Sequence, residues 1–445
     1  MNASTHSQNL EQIMIIHIVQ PGDTISLIAD KYKTSINQVI HDNGLTETTN
    51  LVHGQALVIT YPKDIYTVKQ GDTLASIAQE NGICIVQLIR NNPFLNERNY
   101  IFPGETLVIK YDNQKGRLST NGYVNSFINL DILKKSLPYL TFLTVFGNRI
   151  ADNGNIIEVD GDHEIEIIKT AKEYHVVPIM MLSTLNIRGI GSIDQSYDLV
   201  YNEQNVDYFI KKVISILDKK GYKGINLTFQ FLNEASRPYY EKTAIAITKS
   251  LNRNGYLAFV TISENFVYEG NYITFEQIEY KLIGEVINGV TLLNFNWGVT
   301  YGPPKPVESV GTLIDFINYV NTKIPYQKAE IGITTIGYDW ELPYVPGVTV
   351  TKSLSIASAI NLADNVGAII QFDEVSHTPY FRYYENKNGI LRQHIVWFID
   401  ARTVEALLDM ISSNGNRGAA VWNIMNYFPQ LWTILNSQYE IETLI

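Results

Sequence analysis

The chain has 445 residues, 45% of them apolar and 18% charged, which is too long for one ordinary domain and ample for a sizeable core. A formal net charge of −11 with no run of Lys or Arg excludes a polyphosphate partner, because nucleic acid requires a basic face. No apolar stretch approaches the ~18 residues of a membrane span, and the single cysteine, Cys84, leaves no intrachain disulfide to form.

Residues 1–14 are polar, lack the apolar core of a secretory signal, and read as a leader, with Met14 an alternative start. A repeat follows. The segment IHIVQPGDTISLI at 16–28 returns as IYTVKQGDTLASI at 65–77. The pattern predicts opening strands Ile16–Val19 and Tyr66–Val68, then helices Thr24–Lys31 and Thr73–Glu80. Second helices are expected at Ser35–His41 and Ile83–Asn91, and closing strands at Ala56–Ile59 and Thr106–Ile109. Asp23 and Asp72 are expected to cap the first helices. Cys84, in the apolar run Ile83–Val86, is expected as a buried structural thiol. Two tandem βααβ units therefore occupy 15–61 and 62–110, and a polar linker spans 111–121.

From Gly122 onward, strand-like runs alternate with helical periodicity, the pattern of a parallel β/α fold. Strands are expected at Tyr123–Ile128, Leu140–Phe146, Val177–Ser183, Gly224–Phe229, Leu257–Ser263, Val290–Phe295, Glu330–Ile336 and Ala419–Trp422. Eight strands make a (β/α)8 TIM barrel over 122–445. The stretch between the last two strands is too long for one helix, so 339–399 is expected as an α+β insertion walling the cleft. Function in such a barrel gathers at the C-terminal strand ends. That rule selects Thr228 and Gln230 after strand four, and Phe295, Asn296 and Trp297 after strand six. It also selects Tyr338 and Asp339 after strand seven and Trp422 after strand eight.

The two Gly-Asp-Thr units resemble LysM modules, which recognise N-acetylglucosamine glycans. The resemblance implies contacts from Gly22, Asp23, Thr24 and Ile25, from Gly71, Asp72, Thr73 and Leu74, and from loops opening near Asn43 and Asn91. Tandem copies imply a gain in avidity. Lys223-Gly-Ile-Asn-Leu-Thr-Phe-Gln230 resembles the fourth-strand signature of family 18 glycoside hydrolases, read Gly-x-Asn-x-Asp-Phe-Glu in the nearest branch. Gly298–Pro304, Ile336–Gly347, Val396–Arg402 and Phe428–Gln430 look like the spore-type LysM–glycosidases of that family, which act on cortex peptidoglycan.

By that resemblance the fourth strand should carry an acid glutamate and an aspartate that orients the substrate's acetamido group, in a substrate-assisted scheme. A tyrosine and an aspartate are implied on strand six. Here the four positions hold Gln230, Thr228, Phe295 and Asn296, while Trp297 and Trp422 remain as sugar platforms. A glutamine amide has no proton to give. The expectation is a glycan-binding protein, spore-associated and made without a signal peptide, whose barrel is catalytically silent. Its partners would be peptidoglycan or a chitin-like glycan, with spore-coat proteins beside them, and neither nucleic acid nor membrane. No cofactor or metal is expected. Two other readings are an active N-acetylglucosaminidase with a non-standard acid, drawn from Glu234, Glu264, Asp339, Asp373 or Glu374, and a structural coat scaffold.

Overall fold

The computed structural model describes residues 13–444 except 97, 99, 113–114, 160, 185–197, 229–236, 263–265, 270–271, 276–280 and 294–301. The first small unit is β1 (Met14–Ile18), α1 (Ile25–Tyr32), α2 (Ile36–Asn43) and β2 (Ala56–Thr60). The second is β3 (Asp64–Thr67), α3 (Leu74–Glu80), α4 (Ile85–Asn91) and β4 (Thr106–Lys110). In each, the two strands pair antiparallel. The cores correspond: Val19, Ile28, Val39 and Leu57 in one, and Val68, Ile77, Leu88 and Leu107 in the other.

The repeat extends to side-chain bonds. Asn43 Nδ2 donates to Val58 O at 2.7 Å and Asn43 Oδ1 accepts from Val58 N at 2.7 Å. Asn92 does the same with Val108, at 2.7 and 2.8 Å.

The helix caps differ from the expectation. Thr24 and Thr73, both extended, accept the amide hydrogens of Leu27 at 3.2 Å and Ser76 at 3.0 Å. Asp23 and Asp72 turn the other way, to the preceding loop. They accept from the amides of Gln20 and Lys69, each at 2.7 Å. His17 Nε2 lies 2.9 Å from Asp23, and the Tyr66 hydroxyl donates to Asp72 at 3.0 Å. A carboxylate one residue before the cap finds the turn amide nearer than the helix amides. The amide of Gln20 and the neighbouring His17 hold the Asp23 carboxyl below the usual range. Cys84 is likewise exposed, not buried: it caps α4, with Sγ accepting from Gln87 N at 3.4 Å.

The barrel strands are β5 (Arg117–Asn125), β6 (Phe142–Phe146), β7 (Val177–Ser183), β8 (Gly224–Thr228), β9 (Leu257–Ile262), β10 (Gly289–Leu292) and β11 (Ala329–Thr334). An insertion follows, with β12 (Ile336–Leu342), β13 (Lys352–Ser355), β14 (Gln371–Asp373), β15 (Thr378–Lys387) and β16 (Ile390–Trp397). The eighth barrel strand is β17 (Gly418–Trp422). Each pairs parallel with the next, and β17 returns to β5, so the barrel is closed. The insertion strands form an antiparallel sheet ordered β13-β12-β16-β15-β14, with a helix at Ile356–Asn365.

Strand β5 begins at Arg117, inside the segment expected as a linker. Its polar start faces a polar barrel floor: Ser119 and Asn121 donate to the buried Glu330 carboxylate at 3.3 and 3.2 Å, and Thr291 to it at 3.4 Å. Arg417 lies 3.9 Å from the same group, with its guanidinium over the rings of Phe142 and Phe259. Burial pushes the Glu330 pKa up.

Both small units dock on the last helix, Pro429–Gln438, which is buried along most of its length. Gln430 Nε2 donates to Asn43 Oδ1 at 2.9 Å, and Asn436 Nδ2 to Asn91 Oδ1 at 2.9 Å. The two contacts use corresponding ends of the two units.

Candidate functional site: the barrel mouth and the module loops

Thr228 ends β8 and is 1% exposed. Its neighbours in register are Ser183 on β7 and Thr261 on β9. Its Oγ1 is buried with no hydrogen-bond partner among the described residues. One layer below, Asn226 Nδ2 donates to the Tyr123 hydroxyl at 2.8 Å, and Thr261 Oγ1 donates to Asn226 Oδ1 at 2.7 Å. The Tyr123 hydroxyl and Thr261 Oγ1 lie 3.2 Å apart. Burial pushes the Tyr123 pKa far above its ordinary value, so the phenol stays neutral. Every member of this network is uncharged.

Trp422 sits over it, edge-on to Tyr123 at 5.5 Å and to Phe146 at 6.2 Å, and is 8% exposed. The structure thus brings Thr228 and Trp422 to the C-terminal mouth of the barrel, as the strand order requires. Gln230, Phe295, Asn296 and Trp297 lie outside the described residues, as do Glu234 and Glu264.

Asp339 does not end a barrel strand. Strand β11 stops at Thr334, and Asp339 belongs to β12 of the insertion sheet. It is buried, 2.9 Å from His394 Nδ1, and accepts from the Tyr383 hydroxyl at 2.9 Å. Tyr383 stacks on His394 at 4.7 Å. Its neighbour Tyr338 lies opposite Trp397 on β16, and burial pushes its pKa up to about 12. Asp373 is also committed internally, accepting from Ser376 N at 2.8 Å and Ser376 Oγ at 2.5 Å.

The two small units present unequal surfaces. Gly22 and Gly71, both at φ 90°, have open space where a Cβ would stand, so both Gly-Asp-Thr loops are accessible. The second loops differ. In the first unit, Gly54 is pressed on the insertion, where a Cβ would lie 1.9 Å from Ile370 O. Ile370 N donates to His53 O at 2.9 Å, and Arg402 reaches Gly54 O at 3.4 Å. The corresponding Gly104 has nothing within 4 Å. Asn43 and Asn91, expected at the openings of glycan-contacting loops, are buried in the docking bonds just described.

The exposed loop of the second unit carries a cluster that the repeat comparison did not single out. The Arg98 guanidinium lies 5.2–5.5 Å from the rings of Phe94, Tyr100 and Phe102 and pairs with Glu105. Tyr100 and Phe102 are exposed and edge-to-face at 5.3 Å. The signal was available in the contrast between NPFLNERNYIF at 92–102 and the non-aromatic loop of the first copy.

A closed eight-strand barrel with a sheet inserted before its last strand, preceded by two βααβ units, defines a modular glycosidase scaffold. The chain belongs to glycosyl hydrolases family 18, whose profile matches residues 106–426, and the LysM domain profile matches 17–60 and 66–110. It is similar to the cortical fragment-lytic enzyme of Bacillus subtilis (strain 168), 29% identical over 435 residues, 96% of this chain and 99% of that protein. Two crystal structures of the spore cortex-lytic enzyme SleL, from Bacillus cereus and Bacillus megaterium QM B1551, superpose with TM-scores of 0.77 each. They are 26% and 28% identical, covering 97% of this chain and 100% and 99% of theirs.

Proposed function

We propose that this chain binds N-acetylglucosamine-containing glycan of the peptidoglycan or chitin type without hydrolysing it, using its LysM modules and a silent barrel. The observation that carries the reading is Thr228, a neutral side chain whose hydroxyl has no partner among the described residues, where family 18 chemistry needs a carboxylate. Gln230, two residues on, supplies an amide in place of the acid. Loss of a positioned acid removes about 10²–10⁴ in rate, and loss of groups that stabilise developing charge about 10²–10³ more, without simple additivity. The hydrogen-bonding shape of the cleft changes far less. The names of the similar proteins point to spore cortex as the setting.

Of the two LysM modules, the second is the open reader. Its Tyr100 and Phe102 offer apolar faces to sugar rings, while the matching loop of the first is occupied by the barrel.

The test is incubation of the purified chain with insoluble peptidoglycan, soluble cortex fragments and chitooligosaccharides. Co-sedimentation without release of reducing ends is expected. Turnover above blank that Gln230→Ala abolishes would establish the alternative, an active hydrolase with a non-standard acid. Among the proposed substitutes for that acid, Asp339 and Asp373 are already bonded internally.

A further inference from the structure

Between the two LysM modules and the last helix lies a cavity of about 240 Å³. That is far more than the ~15 Å³ that admits one water, and suits a single sugar unit. It is separate from the barrel mouth and from both Gly-Asp-Thr loops, whose residues do not line it. Its walls come from α2 of the first module, from α4 and β4 of the second, and from Tyr139 and the last helix of the barrel. Most of the lining is uncharged and hydrogen-bonding: Asn37, Gln38, Asn91, Tyr111, Thr433 and Asn436. His41 of one module and Phe94 of the other stack at 4.3 Å and form an aromatic wall across the joint.

One cation in this lining is unmatched. Among the described residues, Arg90 Nε is buried with no hydrogen-bond partner, and Nη1 makes a single 3.4 Å contact to Pro138 O. No carboxylate stands within ion-pair distance of it among the described residues, and Glu440 acts on it only from farther away. The other acids of the lining are accounted for. Glu105 pairs with Arg98, and Asp42 accepts from Gln38 at 2.7 Å and from Thr60 Oγ1 at 2.7 Å. A half-buried guanidinium with a buried Nε and no counter-charge is costly, and its planar fork matches a carboxylate.

We infer that this junction is a binding site for a carboxylate-bearing amino sugar, one N-acetylmuramic acid unit freed of its stem peptide, with Arg90 as the carboxylate partner. The inference rests on the glycan-binding reading and sharpens it, since muramic acid, whose lactyl carboxylate is free wherever its stem peptide has been removed, occurs in peptidoglycan and not in chitin. The amide and hydroxyl walls would hold the acetamido and ring hydroxyl groups. The site exists only when both modules are docked, so it would read the glycan and the assembled arrangement together.

The experiment titrates the full chain with N-acetylmuramic acid and, separately, with N-acetylglucosamine, by calorimetry and by ligand-observed NMR. Muramic acid is expected to bind more tightly than its carboxylate-free counterpart. Arg90→Gln should weaken muramic acid at least ~10-fold while leaving N-acetylglucosamine unchanged. Equal affinity for the two sugars, no measurable muramic acid binding, or an unaltered Arg90→Gln variant would each overturn the assignment. If Arg90→Gln shows a lowered unfolding temperature, Gln38→Leu, which alters the opposite wall and spares Arg90, must weaken both sugars while keeping the preference for muramic acid. Unaltered muramic acid binding by Arg90→Gln, with the native chain still co-sedimenting with peptidoglycan, would refute the junction site alone, whereas failure of the native chain to co-sediment would refute glycan binding itself.

Discussion

Gly54 and Gly104 occupy the same position in two copies of one fold, and the repeat supplies its own control for a substitution there. Gly54 is at φ 85° and Gly104 at φ 90°, so an alanine at either meets a similar left-handed backbone cost of about 1–2 kcal/mol. Only at Gly54 would the added Cβ collide, 1.9 Å from Ile370 O and 2.9 Å from Ile370 C. Both are backbone atoms, and no rotamer change relieves them. The module must lift from the insertion, loosening the 2.9 Å bond from Ile370 N to His53 O. Overpacking adds about 1–3 kcal/mol and the weakened bond about 1 more. Gly54→Ala should therefore be about 2–4 kcal/mol less stable than Gly104→Ala. Urea unfolding of the two variants measures the difference, and hydrogen exchange should rise around 50–56 and 364–372 in Gly54→Ala alone. Equal destabilisation, within about 0.5 kcal/mol, would refute the docked arrangement of the first module.

Restoring the missing chemistry tests the silent barrel directly. The triple substitution Thr228→Asp, Gln230→Glu, Phe295→Tyr should gain glycosidase turnover of about 10²-fold or more over the native chain; no gain would mean that the cleft no longer holds substrate in a productive pose. Tyr100→Ala combined with Phe102→Ala should weaken peptidoglycan co-sedimentation about 10-fold, while Thr46→Ala with Thr48→Ala in the first module should not. Burial pushes the Asp42 pKa up to about 7 and the Glu308 pKa likewise to about 7. The folded state then keeps protons that the unfolded chain has released, so stability falls as pH rises from ~4 to ~7 and levels off above. For Asp42 the shift corresponds to about 4 kcal/mol, and Asp42→Asn should flatten the urea midpoint across that window, with Glu308 leaving a residual slope. An unchanged slope in Asp42→Asn would show that Asp42 is ionised throughout.

What the sequence made legible was whatever is written in local pattern. Strand β7 falls at Val177–Ser183 as its apolar run requires, and the expected fourth strand is found at Gly224–Thr228, its last expected residue lying outside the described residues. Strand β5 was misplaced because its first residues are polar, and only the closed barrel reveals that Ser119 and Asn121 face a buried carboxylate. Asp339 was misassigned for the opposite reason: it follows strand seven in sequence, but one turn of chain carries it into a different sheet, where His394 and Tyr383 neutralise its burial. The same limit applies to the repeat. Two copies of Gly-Asp-Thr suggest two equal readers, yet equality of local sequence says nothing about which loop a third domain will cover. Ile370 lies 316 residues beyond Gly54 in the chain, and its contact, with that of Arg402, separates a covered loop from an open one although both modules dock on the last helix. Avidity from the pair therefore cannot follow from counting modules; it requires a second contact point that docking creates, and the cavity beside Arg90, built from both modules and the last helix, is in the position to provide it.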